Sequence, residues 1–295
     1  MKYQLHENGW TTIIADVDLT DPQQEDINLI AKLVANNTLV VIKKQFLTIE
    51  EELRVLKMFK NPSVLFPPPA NGGPLTGDAL HCTMPNTEGL LCRITAEPDE
   101  YGAVGVAGHA PEMGWHNDHP WRTDLPNVVW LRSIKGTEGS KTTWTNNVLA
   151  YNDLDQETKD LLEPFEAVLT KDNDFNVTSY WQDENGRLWP PSTVIEDSSL
   201  KIIHTNIAGK KGLNFPFRQL HTLKGMPYDQ ARRLIEKIGD HITQDKYCYT
   251  HSWELGDVVI TDNCLGIHKR WHCDNITSRL IHRGIFDYPD QDYSL

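Results

Sequence analysis

The sequence predicts a mainly β protein with flanking helices. Several short runs rich in β-branched and apolar residues have strand length, among them Leu39–Ile42, Val128–Leu131 and Val258–Asn263. A longer run, Thr277–Phe286, alternates between two faces, as a strand with two different environments does. Helical spacing of apolar residues occurs at the N-terminus and again over Pro227–Ile242, so the helices are expected to cover a sheet.

The N-terminal region reads as a helix-rich scaffold of about residues 1–76. A first helix is predicted to start at Asp21, as N-cap, with Pro22 in its first turn. A second is predicted over Thr48–Lys60, where Thr48 and Glu51 match a capping box. No linker composition or internal repeat interrupts the chain, so we expect one domain over residues 1–295, with its core at about 77–290.

Composition narrows the classes of function. The net charge of −13 argues against a nucleic-acid groove or an anionic membrane surface as partner, because both need a positive field. An anionic ligand would therefore depend on local arginines. Five cysteines without a Cys-x-x-Cys pair favour a reducing, cytoplasmic location. No apolar run is long enough to cross a membrane, and no secretory signal is expected at the N-terminus.

The most informative stretch is Gly114–Trp121, which contains His116 and Asp118. On an extended strand these two side chains point to the same face. Such a pair occurs by chance in many proteins, so it needs a third ligand to indicate a metal site. His268 is the candidate, and two histidines with one carboxylate form the facial triad typical of non-haem iron.

Two arginines add to this pattern. Arg279 and Arg283 follow His268 by 11 and 15 residues and share one face of the last predicted strand. A lone arginine is usually a surface residue. Two on one face, close in sequence to a candidate ligand, indicate an anion site beside the metal.

The ordered set resembles the TauD/TfdA (taurine dioxygenase-like) family of iron(II)- and 2-oxoglutarate-dependent oxygenases. The resemblance covers about Gly77 to Phe286. It rests on four matches: Trp115-His116-Asn117-Asp118, Thr142-Thr143-Trp144-Thr145, the stretch from Asp262 to His268, and the pair Arg279 and Arg283.

The resemblance implies a double-stranded β-helix (jelly roll) with helices outside. It implies that His116, Asp118 and His268 bind Fe(II) and that 2-oxoglutarate and O₂ take the remaining positions. By position, Thr142 and Arg279 would hold the distal carboxylate of 2-oxoglutarate, while Arg283 would contact its chelating carboxylate. The products would be succinate, CO₂ and an oxidised small-molecule substrate.

Candidate substrate residues are His81, Glu112, Asn214 and Phe217. Glu112 stands where the taurine enzymes have an asparagine, and the run Phe215-Pro216-Phe217-Arg218 also departs from their pattern. These departures argue against taurine. An acidic Glu112 facing a basic Arg283 would suit a small charged or zwitterionic substrate, although a glutamate in this loop could equally face water.

Other functions are open. A zinc enzyme could use the same triad, but it would leave Arg279 and Arg283 without a role. His119 lies three residues after His116, yet Pro120 argues against a helix that would align the two histidines on zinc. A catalytically inactive jelly-roll sensor or binding protein is a further alternative. The sequence does not decide whether the protein forms a homo-oligomer.

Overall fold

The computed structural model describes most of the chain, and it confirms the jelly-roll prediction. The described residues are 1–64, 82–98, 105, 112–120, 127–170, 194–195, 200–273 and 278–295. Their strands are β1 (Tyr3–Leu5), β2 (Thr12–Ile14), β3 (Leu39–Ile42), β4 (Cys92–Thr95), β5 (Met113–His116), β6 (Val128–Lys135), β7 (Lys141–Thr145), β8 (Ala167–Thr170), β9 (Val194–Ile195), β10 (Ile203–Thr205), β11 (Lys211–Leu213), β12 (Leu220–Leu223), β13 (Cys248–Ser252), β14 (Val258–Asp262), β15 (His268–Arg270) and β16 (Leu280–Phe286).

Two sheets form the core. The larger has seven strands in the order β1-β2-β3-β14-β6-β16-β4, and the second has four in the order β13-β7-β15-β5. From β4 to β7, and again from β13 to β16, successive strands alternate between the two sheets. Pairing between these eight strands is antiparallel throughout. This alternation places the two sheets face to face as a jelly roll.

The central strands β3, β14 and β6 of the large sheet are buried on both faces over most of their length, which explains why they read as continuous apolar runs. Val41 and Val259 face the second sheet and pack in one cluster with Trp144 and Trp253. Their neighbours, such as Ile42 and Ile260, face the other way and pack under the N-terminal helices. The period of two along each strand therefore separates the layer between the sheets from the layer under the helices.

The helices lie outside the sheets as predicted, with shifted ends. They are α1 (Gln24–Asn37), α2 (Ile49–Met58), α3 (Asn147–Asn152), α4 (Gln156–Leu162) and α5 (Tyr228–Ile242). The Thr48–Glu51 capping box of α2 is confirmed, with both reciprocal bonds present. The predicted start of α1 at Asp21 is wrong: Gln23 is the N-cap, and its N–H donates to the Asp26 side chain. No described helix is both long and apolar enough to cross a membrane.

The N-terminal region contributes strands as well as helices. β2 and β3 pair in parallel, and β3 joins β14 of the large sheet. The region is thus part of the same sheet as the jelly-roll core. The extent of the single domain, 1–295, stays a prediction.

A buried ion network connects α2 to the large sheet. Glu52 is fully buried and accepts hydrogen bonds from Trp130 Nε1 (2.8 Å), Arg132 Nη2 (2.6 Å) and His282 Nδ1 (2.7 Å). Burial raises the pKa of Glu52, but these bonds outweigh it and lower the pKa to about 2. The carboxylate is therefore charged and fixes the helix to β6 and β16.

A segment inserted between β7 and β13 forms a third layer. It contains α3 to α5 and a small sheet in the order β12-β8-β9. α5 packs against this sheet through Ile235, Ile238 and Ile242, in the cluster that also contains Phe217. The segment lies against the end of the jelly roll that carries His116, as the contacts described below establish.

Candidate metal centre and cosubstrate pocket

The second sheet brings the three predicted ligands together. β15 pairs with β5 so that His268 lies directly opposite His116, and their ring centroids are 4.2 Å apart. Asp118 follows two residues after the end of β5. One possible ligand atom from each of His116, Asp118 and His268 lies within 4.8 Å of the others, and all three residues are buried. The side chains are close enough to bind one metal ion.

The charge states of this cluster suit a divalent cation. Burial lowers the pKa of both histidines, to about 3 for His268, so the two rings are neutral at pH 7 and keep a lone pair for a metal. Burial raises the pKa of Asp118, but Arg283 and the nearby histidines outweigh it and hold the pKa well below its usual range. The cluster offers one negative charge and two neutral nitrogens.

Hydrogen bonding around the histidines agrees with this donor set. His116 Nδ1 lies 2.6 Å from the Gly114 carbonyl, which can only accept, so this nitrogen carries the proton and Nε2 is left with its lone pair. His268 Nδ1 is buried and makes no hydrogen bond within the described part of the chain. A buried polar atom without a partner is costly unless a ligand supplies one. The residues therefore fit a bound metal.

Asp118 is oriented by the predicted arginine on β16. Arg283 Nη1 donates to Asp118 Oδ1 at 2.9 Å. Arg283 Nη2 lies 3.1 Å from His119 Nε2, and since a guanidinium only donates, this histidine nitrogen accepts. His119 has φ +49°, a left-handed conformation that histidine adopts more readily than most residues, and this turn brings its ring back to Arg283.

A second cationic group lies further along the same sheets. Arg279 precedes β16 and is 4 % exposed. Burial, together with the charge of Arg270, lowers its pKa to about 9, so it remains charged at pH 7. Within the described residues Arg279 forms no ion pair, and its Nε makes no hydrogen bond. A buried guanidinium that has no ion pair among the described residues is a strong candidate for an anion site.

Thr142 joins this second group through the strand register. It pairs with Arg270 across β7 and β15, and its Oγ1 accepts a hydrogen bond from Trp253 Nε1 at 2.9 Å. The hydroxyl keeps its own proton to donate. Arg270 is a residue that the sequence reasoning missed: it is 5 % exposed, and burial lowers its pKa to about 10. Its position two residues after His268 would have put it on the ligand face.

The predicted substrate residues that the structure describes lie in different surroundings. His81 lies outside the described residues. Asn214 is 7 % exposed and accepts a 3.3 Å hydrogen bond from Asn117 Nδ2, next to the candidate ligands. Phe217 instead packs in the core beneath α5, where a Cβ on Gly239 would lie 2.8 Å from its ring. That packing is typical of a structural residue.

Glu112 lies near a different group from the one expected. Lys269 Nζ lies over the rings of Trp115 and Trp271, at 4.9 and 3.9 Å from their centroids. Lys269 and Trp115 are strand neighbours of His268 and His116, so they point to the opposite face. Burial lowers the pKa of Lys269, and the Glu112 carboxylate is among the charges that oppose this shift. The Glu112 charge thus acts on a residue of the outer face of the sheet.

Solved structures with the same fold include a taurine dioxygenase and AAD-2. A taurine dioxygenase from Burkholderia xenovorans matches with a TM-score of 0.69 and 20% identity, covering 94% of this chain and 85% of that one. AAD-2, in complex with Mn(II) and N-oxalylglycine, matches with a TM-score of 0.73 and 18% identity over 98% of both chains. At these identities the matches establish the fold.

Relatives found by sequence include two with named activities. The alpha-ketoglutarate-dependent 2,4-dichlorophenoxyacetate dioxygenase of Burkholderia sp. (strain RASC) is 25% identical over 62% of this chain and 61% of its own length. The alpha-ketoglutarate-dependent sulfate ester dioxygenase of Pseudomonas putida is 27% identical over 62% of this chain and 60% of its own length. The chain thus spans about three fifths of the length of each.

The family comparison covers nearly the whole chain. The model of the taurine catabolism dioxygenase TauD, TfdA family matches residues 3–285, which include both sheets, the candidate ligands and both predicted arginines. The chain belongs to the taurine catabolism dioxygenase TauD, TfdA family.

Proposed function

We propose that this protein is an Fe(II)- and 2-oxoglutarate-dependent oxygenase that acts on a small, charged organic substrate. The observation that carries the proposal is the buried cluster of His116, Asp118 and His268, combined with Arg279, a buried cation without an ion pair in the described chain. The first group suits a metal and the second suits a carboxylate. A cofactor that joins a metal-chelating end to a distal carboxylate would satisfy both.

In this proposal His116, Asp118 and His268 hold Fe(II), which supplies oxidative chemistry with O₂ when bound. 2-Oxoglutarate is decarboxylated to succinate and CO₂ as the substrate is oxidised. Arg279 offers a planar guanidinium to the distal carboxylate, and Thr142 adds a neutral donor. Arg283 keeps Asp118 charged and oriented, and it supplies positive charge close to the chelating carboxylate. The two sheets exclude water around these groups.

The substrate class is inferred from charge. Relatives named for 2,4-dichlorophenoxyacetate and for sulfate esters act, by those names, on anionic compounds. In a chain of net charge −13, binding an anion requires local cations, and Arg283 lies beside the candidate ligands. We therefore propose an anionic or zwitterionic small molecule. We also place the enzyme in the cytoplasm, since all five cysteines are free thiols.

The deciding experiment measures metal content and turnover in one preparation. Protein purified without oxygen should contain iron, and adding 2-oxoglutarate should yield succinate that increases with a suitable substrate. A panel of aryloxyalkanoates, sulfate esters and amino acids, read by succinate formation, would identify that substrate. Bound zinc without succinate formation would favour the zinc enzyme, and no bound metal would favour the sensor or binding protein.

Variants of Asp118 and of the adjacent His119 test which of the two binds the metal. Asp118→Asn keeps an oxygen acceptor for Arg283 but removes the charge, so it should lose most iron and most succinate formation while the protein stays folded. His119→Ala should retain iron, because His119 contacts Arg283 and is not a proposed ligand. Equal iron in both variants would show that the carboxylate ligand is misassigned.

A further inference from the structure

The peptide between the two candidate ligands is held by a side chain from the inserted segment. The main-chain N–H of Asn117 donates to Gln219 Oε1 at 2.9 Å, and Gln219 Nε2 donates back to the Asn117 carbonyl at 3.1 Å. Both residues are buried, at 2 % and 6 % exposed. One amide side chain thus makes the pair of hydrogen bonds that a neighbouring strand would make.

Gln219 is itself fixed in the inserted segment. Its N–H donates to the Pro216 carbonyl at 2.7 Å, and its own carbonyl accepts from the Thr170 N–H at 2.8 Å, at the end of β8. β8 and β12 belong to the small sheet beneath α5. The amide therefore starts from a rigid main chain that belongs to neither sheet of the jelly roll.

An equivalent contact holds the next residue. The Asp118 N–H donates to Asn263 Oδ1 and Asn263 Nδ2 donates to the Asp118 carbonyl, both at 2.9 Å. The main-chain groups of two consecutive residues are thus fixed by two amide side chains from different segments. Without the Gln219 amide, the buried N–H and C=O of Asn117 would lose these partners, which is unfavourable for buried main-chain groups. The local backbone would be expected to shift to recover these bonds.

We propose that Gln219 is a positioning residue of the metal centre. Within the described chain its side-chain hydrogen bonds go to Asn117 and not to the candidate ligands, so it acts through Asn117. His116 and Asp118 flank that residue, so any rotation of the Asn117 peptide moves both ligands relative to His268. This role rests on the proposed function, since it assumes that the triad binds a metal. It connects the inserted segment, through one side chain, to the geometry of the metal site.

The test compares two buried side-chain amides that each accept one hydrogen bond and donate another. Gln219→Leu removes both hydrogen bonds, because it replaces the amide with an apolar side chain of similar volume. The control is Gln45→Leu: Gln45 is 5 % exposed, accepts from the Leu19 N–H at 2.9 Å and donates to the Val17 carbonyl at 2.8 Å, in the N-terminal region. Both variants should lower the thermal midpoint.

Co(II) serves as the probe metal, because its visible absorption reports affinity and ligand geometry without turnover. Gln219→Leu should raise the Co(II) dissociation constant by about tenfold to a hundredfold, as losses of outer contacts in metal sites do. Its absorption spectrum should change as well. Gln45→Leu should keep the wild-type constant and spectrum. Equal Co(II) constants for Gln219→Leu and the wild type would overturn the positioning role.

Hydrogen exchange gives a second measurement on the wild-type protein, so it does not depend on whether Gln219→Leu folds. In the metal-free wild type, the amide of Asn117 should already be strongly protected, because Gln219 accepts from it before any metal binds. Rapid exchange at Asn117 in an otherwise protected protein would overturn the proposal. A wild type that bound no Co(II) at all, with Asn117 protected, would instead overturn the proposed function and leave Gln219 as a structural clamp.

Discussion

Arg283 Nη1 lies 2.9 Å from Asp118 Oδ1, and both side chains are more than nine-tenths buried. The ion pair leaves the second carboxylate oxygen of Asp118 available to a metal. It also fixes the rotamer of Asp118 in the metal-free protein, so little side-chain freedom remains to be lost on binding. The arginine on β16 is therefore part of the metal centre as well as a candidate contact for the cosubstrate.

Replacing Arg283 with lysine should weaken metal binding. One ammonium cannot donate to Asp118 and His119 in the geometry of the planar guanidinium. We expect a rise of about tenfold in the dissociation constant for Co(II) or Fe(II), measured by titration under nitrogen. Arg279→Lys is the matched control. It makes the same arginine-to-lysine change next to the start of β16 and should leave metal affinity unaltered. Loss of affinity in both variants would indicate a general effect on β16.

Arg279→Lys should affect 2-oxoglutarate instead. Hydrogen bonds to charged groups contribute about 1.5–3 kcal/mol, so loss of a bidentate contact should raise the apparent constant for 2-oxoglutarate by about tenfold to a hundredfold. Arg279→Ala should raise it further. The measurement is succinate formation against 2-oxoglutarate concentration at saturating iron. An unchanged constant in both variants would mean that another group, such as Arg270, holds the distal carboxylate.

Glu52 should make stability depend on acid pH. Its pKa falls from 4.5 to about 2 on folding, so its contribution is complete above about pH 4.5 and is lost as the pH falls toward 2. The shift corresponds to about 3 kcal/mol. Glu52→Gln should lower the free energy of unfolding by about that amount at pH 7, and its difference from the wild type should shrink between pH 4.5 and 2.

Denaturant unfolding at several pH values measures this difference for Glu52. Glu50→Gln, in the same first turn of α2 and exposed, is the control and should leave stability unchanged. A Glu52→Gln deficit that stayed constant down to pH 2 would show that shape, not charge, accounts for the contribution of Glu52.

Glu112→Gln should leave turnover unchanged. The Glu112 carboxylate acts on Lys269, which lies over Trp115 and Trp271 on the outer face of the second sheet. The measurement is the apparent affinity for the substrate found in the screen, alongside 2-oxoglutarate turnover without substrate. If Glu112→Gln weakened the binding of amine-bearing substrates and of no others, Glu112 would be a substrate-binding residue and a zwitterionic substrate would be supported.

The sequence could predict the elements whose pattern is local. Period-two alternation identified the strands that carry His116 and Arg283, with Asp118 and Arg279 just beyond their ends, because side-chain direction along a strand depends only on residue number. The Thr48–Glu51 capping box was also readable, since both of its bonds are made within one turn. The start of α1 could not be predicted in this way, because Asp21 and Gln23 are both plausible N-cap residues and packing decides between them.

Tertiary structure alone decided which side chains meet. Arg283 and Asp118 are 165 residues apart, and Gln219 and Asn117 are 102 residues apart, so no periodicity connects them. The same applies to Phe217, which looked like a pocket residue in sequence but packs beneath α5. The sequence by itself determined the candidate ligands and their strand faces. Register and the packing of the inserted segment determined how those ligands are held, since both depend on contacts made only when distant segments fold together.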